Sequence, residues 1–305
     1  MTSQRFYSHG KLLLTGEYVI LDGALGLAFP TRQGQALTVS PSEGKAALHW
    51  KSLDKSSQSW FEASFELPSL EILRYTEKKT ATILKKILQA TQRFRENFLQ
   101  NPIEISVETR LEFPGNWGLG SSSTLINNIA QWAKIDPYAL LWNCFSGSGY
   151  DIACAMNHRP LLYRMTERKP QVTFTNFDPP FKGVLYFLYL NKKQDSNQAI
   201  HAYRTKIVSD QSIELISSLT QDTASCTAQD DFEKLLSEHE RSLSKLLNMP
   251  TLKERCFPDY PGMIKSLGAW GGDFALVSLR KGMKNYFSRK GLQTMIPFEE
   301  MILSH

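Results

Sequence analysis

The stretch "PGNWGLGSSST", Pro114 to Thr124, combines three glycines with three consecutive serines. Glycine lets backbone approach a ligand closely, because no Cβ intervenes. A helix that starts at such a turn leaves several N–H groups without acceptors and carries a partial positive charge there. Together these properties suit phosphate oxygens, and the hydroxyls could also reach a phosphate or a divalent cation. No Lys follows the last glycine, so the stretch is not a P-loop. The plain alternative is a Ser-capped helix after a flexible turn.

Three other places carry chemistry-bearing residues. "SHGKLLLTGEYVILDG" sets Lys11 on a strand and Glu17 after a glycine. "GSGYD" sets Asp151 at a helix start. "GAWGGD" gathers Gly268, Gly271 and Gly272. Singly, each has an ordinary reading: a solvated strand lysine, a carboxylate complementing a helix dipole, a hairpin turn.

These residues need elements to hold them. In "IEISVETRL", Ile103, Ile105, Val107 and Leu111 alternate with polar residues, which predicts a strand with one wet face. "TLINNIAQWAK" reads as an amphipathic helix, so the serine-rich turn lies between strand and helix. "IDPYALLWNCF" predicts a second helix with Asp136 as cap and Pro137 at its first position. "KLLL", "GLAF" and "ALTVS" read as short strands in the first third, and a long helix is expected within Glu71–Phe98. "VLYFLYL" fits a strand buried on both faces. A helix over Phe232–Leu247 puts His239 in its apolar stripe, where a core-edge residue is the plain reading. The third glycine cluster runs directly into "DFALVSL".

The 305 residues predict two domains or one large one, and no low-complexity linker marks the join. The boundary is soft, within Arg159 to Lys182, and the working division is 1–165 and 166–305. A formal charge of +5 is too weak for a nucleic-acid binder but compatible with acidic small molecules. Four cysteines without CxxC spacing predict neither a zinc site nor a disulfide framework, and so a cytoplasmic setting. "MTSQRFYSHGK" lacks the apolar core of a signal peptide, and no apolar run is long enough to span a bilayer.

Jointly and in this order, the three glycine motifs resemble the GHMP kinases, the family of galactokinase, homoserine kinase, mevalonate kinase and phosphomevalonate kinase. The resemblance runs from Ser8 to about Leu279. It implies an α+β fold of two domains. The N-terminal, ATP-binding one would be like ribosomal protein S5 domain 2, the C-terminal one a ferredoxin-like α/β sandwich, with ATP between them. Pro114, Gly115, Gly118, Leu119, Gly120, Ser121, Ser122 and Ser123 would wrap the phosphates, with Ser122 also on Mg²⁺. Asp151 matches the general base of mevalonate-kinase-like members and Lys11 the lysine beside it. A neighbouring cation lowers the pKa of Asp151, so Lys11 would act by favouring the substrate alkoxide or by holding Asp151.

One departure concerns the metal. Mevalonate kinases place a Mg²⁺-binding Glu shortly before the "GSG" turn, whereas Asp136 is the only acidic residue between Gly120 and Asp151 here. Metal binding would then rest on Ser122, waters and ATP. "GAWGGD" also carries Trp270 where relatives have a small residue.

"TGEYVIL" and "GSGYDIA" look more like phosphomevalonate kinases. The resemblance implies acceptor contacts from Glu17, Tyr18, Ser148, Gly149, Lys192, Lys193, Ser196, Gly271 and Gly272, although a solvated loop explains the two lysines equally well. The expected function is ATP-dependent phosphoryl transfer to a small acidic metabolite of the mevalonate pathway, phosphomevalonate first. Mevalonate kinase, an impaired binding or regulatory member and an ATP-using decarboxylase are the alternatives. A small-molecule substrate is the expected partner, with a homodimer left open.

Overall fold

The structure is a computed structural model. It describes residues 2–303 apart from residues 168, 193–199, 202 and 269–271. Lys193, Ser196, Trp270 and Gly271 therefore lie outside the described residues.

Two long strands open the chain, β1 (Gln4–Thr15) and β2 (Gly26–Ser42). "KLLL" lies inside β1, and "GLAF" and "ALTVS" are both parts of β2, not separate strands. Pro30 does not break β2, because there it serves only as an acceptor, from the Leu303 N–H at 3.0 Å. The strand instead changes partners. Gly26–Ala28 pair with β7 (Leu161–Thr166), and Gln35–Ser42 pair with β6 (Glu104–Leu111), both antiparallel.

The chain divides into two compact units. The first comprises Met1–Gly10, Gln33–Gly115 and Leu119–Met156. Its strands β3 (Ala47–Leu53), β4 (Ser59–Glu66) and β5 (Ile72–Tyr75) extend the sheet in the order β5-β4-β3-β6-β2. Only β3 and β6 run parallel among these neighbours. In β6 the expected alternation holds: Ile105, Val107 and Leu111 face inward, Ser106 and Glu108 outward.

Four helices cover the inner face: α1 (Lys78–Phe94), α2 (Ser121–Ala133), α3 (Pro137–Cys144) and α4 (Tyr150–Met156). Trp50, Phe61 and Phe65 of the sheet share a core with Leu84, Leu88, Ile126, Ile129, Leu140 and Ile152 of the helices. The long helix expected within Glu71–Phe98 is α1, which takes Lys78–Phe94 of that span. Ile72–Tyr75 pair with β4, and the Glu77 carboxylate then caps the helix by accepting the N–H groups of Lys79 and Thr80. Asp136 caps α3 as expected, accepting the Tyr138 N–H at 3.0 Å, with Pro137 at the first position.

The second unit comprises Lys11–Arg32, Asn116–Gly118 and Asn157–His305. Here β8 (Lys169–Phe174) pairs with β7. A second, antiparallel sheet contains β9 (Leu185–Tyr189), β10 (Ile264–Ser266), β11 (Phe274–Ser278) and β12 (Met295–Pro297) in the order β10-β11-β9-β12. Helices α5 (Asp210–Ser225) and α6 (Gln229–Leu247) separate β9 from β10. The shorter α7 (Leu252–Cys256) follows them, and α8 (Met283–Arg289) separates β11 from β12. This β-α-β-β-α-β succession is the ferredoxin-like arrangement. The central strand β9 is the one read from "VLYFLYL", with Leu185, Phe187, Leu188 and Tyr189 buried. Among the described residues no helix is long and apolar enough to cross a membrane.

Candidate active site

The serine-rich turn ends in α2. Gly120 is the N-cap residue, with φ +87°, and the helix begins at Ser121. The first bond of the helix runs from the Thr124 N–H to Gly120 O at 3.0 Å. The N–H groups of Ser121, Ser122 and Ser123 therefore stand in the first turn, where a helix offers no acceptor. No carboxylate sits in that turn. The Ser-capped alternative does not hold: the cap is a glycine, and Ser123 Oγ instead donates back to Gly120 O at 2.8 Å. Ser122 is exposed, and Leu119 is buried beneath the turn.

A buried polar network sets the axial position of α2. Thr124 Oγ1 donates to Gln35 Oε1 at 2.7 Å, and Asn128 Nδ2 donates to Gln35 O at 2.9 Å. Ser8 Oγ donates to Asn128 Oδ1 and accepts from Asn127 Nδ2, both at 2.8 Å. A satisfied buried network of this kind fixes one register, since a shifted helix would strand several polar groups at once.

Asp151 stands in the first turn of α4, half-buried, after the buried Ser148 and Gly149. Helix α4 packs on α2 through Ile152, which shares the core with Ile126 and Ile129. Asp151 and the serines that open α2 thus lie on adjoining helices of the first unit. Tyr138 is close enough to Asp151 to feel its charge. Burial first, then Cys154 and Asp151, push the Tyr138 phenol well above its ordinary pKa.

Other candidate residues fall in the second unit. Lys11 is half-buried on β1. Gly118 has φ +66°, and a Cβ there would fall well inside contact distance of the Asp273 carboxylate. Only glycine fits that backbone beside that carboxylate. Asp273 in turn gives its N–H to Lys192 O at 2.7 Å, while the Lys192 side chain is exposed. Gly272 is buried next to Asp273.

Glu17 differs most from expectation, because it is sealed from solvent. It pairs with the buried Lys265, which also lies 3.3 Å from Glu240. Burial lowers Lys265, but Glu17 and Glu240 outweigh it and hold the lysine charged. One cation faces two carboxylates, and burial pushes Glu17 up to about 7 despite Lys265. Burial also raises Glu240. His239 is fully buried, not at the core edge. Its Nε2 accepts the Gly16 N–H at 2.9 Å, and burial and then Lys265 keep the ring neutral. The 3.6 Å approach of Nε2 to Glu17 is therefore not an ion pair.

Lys265, Glu240 and Asp273 escape a reading of the sequence. Their only signals are a lysine three residues before Gly268 and an acid directly after Gly272. Among the described residues no group of three or more His, Cys, Asp or Glu could hold a metal ion.

No protein-family model matches the sequence, and no curated protein matches it. Solved structures match nearly end to end. Streptococcus pneumoniae phosphomevalonate kinase, in complex with phosphomevalonate and AMPPNP, is 18% identical, with 97% of this chain and 99% of that one covered and a TM-score of 0.68. Lactococcus lactis galactokinase complexed with galactose is 13% identical, with 99% and 94% covered and a TM-score of 0.69. Methanococcus jannaschii mevalonate kinase is 12% identical, with 95% and 94% covered and a TM-score of 0.66. With its motif order, its two units and these end-to-end likenesses, the chain has the two-domain α+β fold of the GHMP kinases.

Proposed function

We propose that this protein is a GHMP-family kinase, transferring the γ-phosphoryl group of ATP to a small acidic metabolite, with phosphomevalonate the favoured acceptor. The observation that carries this is the start of α2: a glycine cap and three serine N–H groups without helical acceptors, with Asp151 on the adjoining α4. Phosphoryl transfer needs charge neutralisation and in-line positioning more than covalent help from the protein.

In this reading residues 114–123 hold the phosphates, and Asp151 takes whatever proton the attacking oxygen carries, a phosphate oxygen in phosphomevalonate or a hydroxyl in mevalonate. Lys11 offsets charge on that attacking oxygen. Tyr18, Ser148, Gly149, Lys192, Lys193, Ser196, Gly271 and Gly272 serve the acceptor, and Glu17 acts through Tyr18. The residues present fit Mg²⁺ that arrives with the nucleotide. Ser122 offers an exposed hydroxyl at the turn, whereas Asp136 is committed to capping α3. Such an ion would neutralise the phosphates and keep most of its waters.

That commitment of Asp136 also favours a second reading, an impaired member that binds nucleotide without turnover. The deciding experiment is ATP consumption with a panel of mevalonate, phosphomevalonate, homoserine and sugars, with the product identified by mass. Turnover of phosphomevalonate above all others is expected. Nucleotide binding without turnover of any acceptor supports the second reading.

A further inference from the structure

Lys265, Glu17, Glu240 and His239 touch none of the reacting groups proposed above, yet all four are sealed from solvent. Buried charges are costly, and apolar residues of similar volume often serve stability as well or better. This cluster also leaves Glu17 Oε2 and His239 Nδ1 without hydrogen-bond partners, and Glu240 Oε2 has only the 3.3 Å ion pair with Lys265. Native interiors rarely tolerate that. Stability alone does not explain the cluster.

What it surrounds is a strained turn. Tyr18 has φ +64° and ψ −54°, and the Val19 N–H closes on Glu17 O at 2.8 Å. This is a γ-turn of the rare, positive-φ kind. A tyrosine stays in such a conformation only where its surroundings over-determine it. They do so here from both sides. The Gly16 N–H is held by His239, and the Glu17 side chain by Lys265. The Ile20 N–H returns to Gly16 O at 2.9 Å. Gly16 itself has φ +90°, and a Cβ there would stand 2.9 Å from Gly26 Cα and Leu25 O. The Tyr18 ring remains half-buried, 5.3 Å from the Tyr203 ring, whose hydroxyl donates to Asp22.

We infer that Lys265 is a positioning residue. It pins the strained turn at Tyr18 to β10, the strand that leads into Gly268, and so sets where Tyr18 meets the acceptor. The link to the acceptor rests on the kinase reading; the pinning of the turn does not. Lys265 answers two carboxylates from different elements, Glu17 before the turn and Glu240 on α6, and its ammonium also donates to Ser266 O at 2.5 Å.

The test uses Lys265→Arg, Lys265→Met and Glu17→Ala in the full chain. Glu17→Ala removes the carboxylate that ties the turn to Lys265 and leaves Lys265 paired with Glu240, so it folds even if Lys265→Met does not. Hydrogen exchange read by mass spectrometry should show the amides of residues 16–20 exchanging about tenfold faster in Glu17→Ala and in Lys265→Met, with β6 unchanged. Lys265→Arg should restore part of the protection. With an accepted substrate, Glu17→Ala should raise KM for the acceptor about tenfold and leave KM for ATP unchanged. Added to Tyr18→Ala it should then cost nothing further, the signature of residues acting through one another. Unchanged exchange at 16–20, or acceleration throughout the chain, overturns the pinning. Additive effects with Tyr18→Ala overturn the link to the acceptor. If the wild type phosphorylates no acceptor, the kinase reading fails, while the exchange result still decides whether Lys265 pins the turn.

Discussion

Asp151 and Glu17 are both carboxylates beside glycines, and their surroundings give them different work. Asp151 is half-buried at the start of α4, so part of it stays open to solvent. If Asp151 is the base we propose, Asp151→Asn, which keeps the shape, should lower kcat by about 10²-fold or more while nucleotide affinity holds. A near-normal kcat would remove Asp151 from the reaction. Glu17 faces Lys265, Glu240 and His239, and burial raises its pKa from the ordinary 4.5 to about 7. A raised folded-state pKa means that the folded chain holds this proton more tightly than the unfolded one. Its contribution to stability is complete below about pH 4.5 and is lost as pH rises through about 7. Glu17→Gln imitates the protonated form. Its Tm should stay nearly level from pH 5 to 8, where the wild type declines, as calorimetry across that range would show. Parallel declines in both proteins would place the titrating group elsewhere.

At the scale of elements, the site depends on how α2 begins and on what lies beside the turn before it. Two glycines of that turn make a controlled comparison. A Cβ at Gly118 would collide with the Asp273 carboxylate at a backbone φ of +66°, whereas nothing lies within 4 Å of a Cβ at Gly115. Gly118→Ala should therefore displace the turn and weaken nucleotide binding by at least about tenfold, a positive-φ alanine costing on the order of 1 kcal/mol before any clash. Gly115→Ala should bind nucleotide like the wild type. Calorimetric titration with a non-hydrolysable ATP analogue measures both. Equal affinities for the two variants would separate the turn from the nucleotide.

At the scale of the whole molecule, the fold by itself chooses no acceptor for the kinase we propose, since a fold carries many chemistries. A phosphorylated acceptor brings a second dianion towards the γ-phosphate, and cations must offset the repulsion. Lys192 is exposed after β9, and its carbonyl is tied to Asp273. Replacing Lys192 and Lys193 by Ala should raise KM for phosphomevalonate far more than KM for ATP, because a lost charge partner in such a site costs about 2–5 kcal/mol. An unchanged ratio of kcat/KM for phosphomevalonate to that for mevalonate would remove the lysines from acceptor recognition.

Local rules sufficed wherever the decisive interactions lie close in sequence. The alternation of β6, the Asp136 cap with Pro137 behind it and the glycine turn opening α2 were all legible, because each is settled within a few residues. The order of the three glycine motifs likewise pointed to the fold that the solved structures share. Tertiary structure decided the rest. β2 runs through Pro30 because its partner changes from β7 to β6. Ile72–Tyr75 became a strand because β4 was there to pair with it. Glu17 reads as an accessible ligand in "TGEYVIL", yet its partner Lys265 lies 248 residues away and closes over it. Charge pairing at that separation leaves no local pattern, and only folding brings the lysine, the two glutamates and the histidine into one buried place.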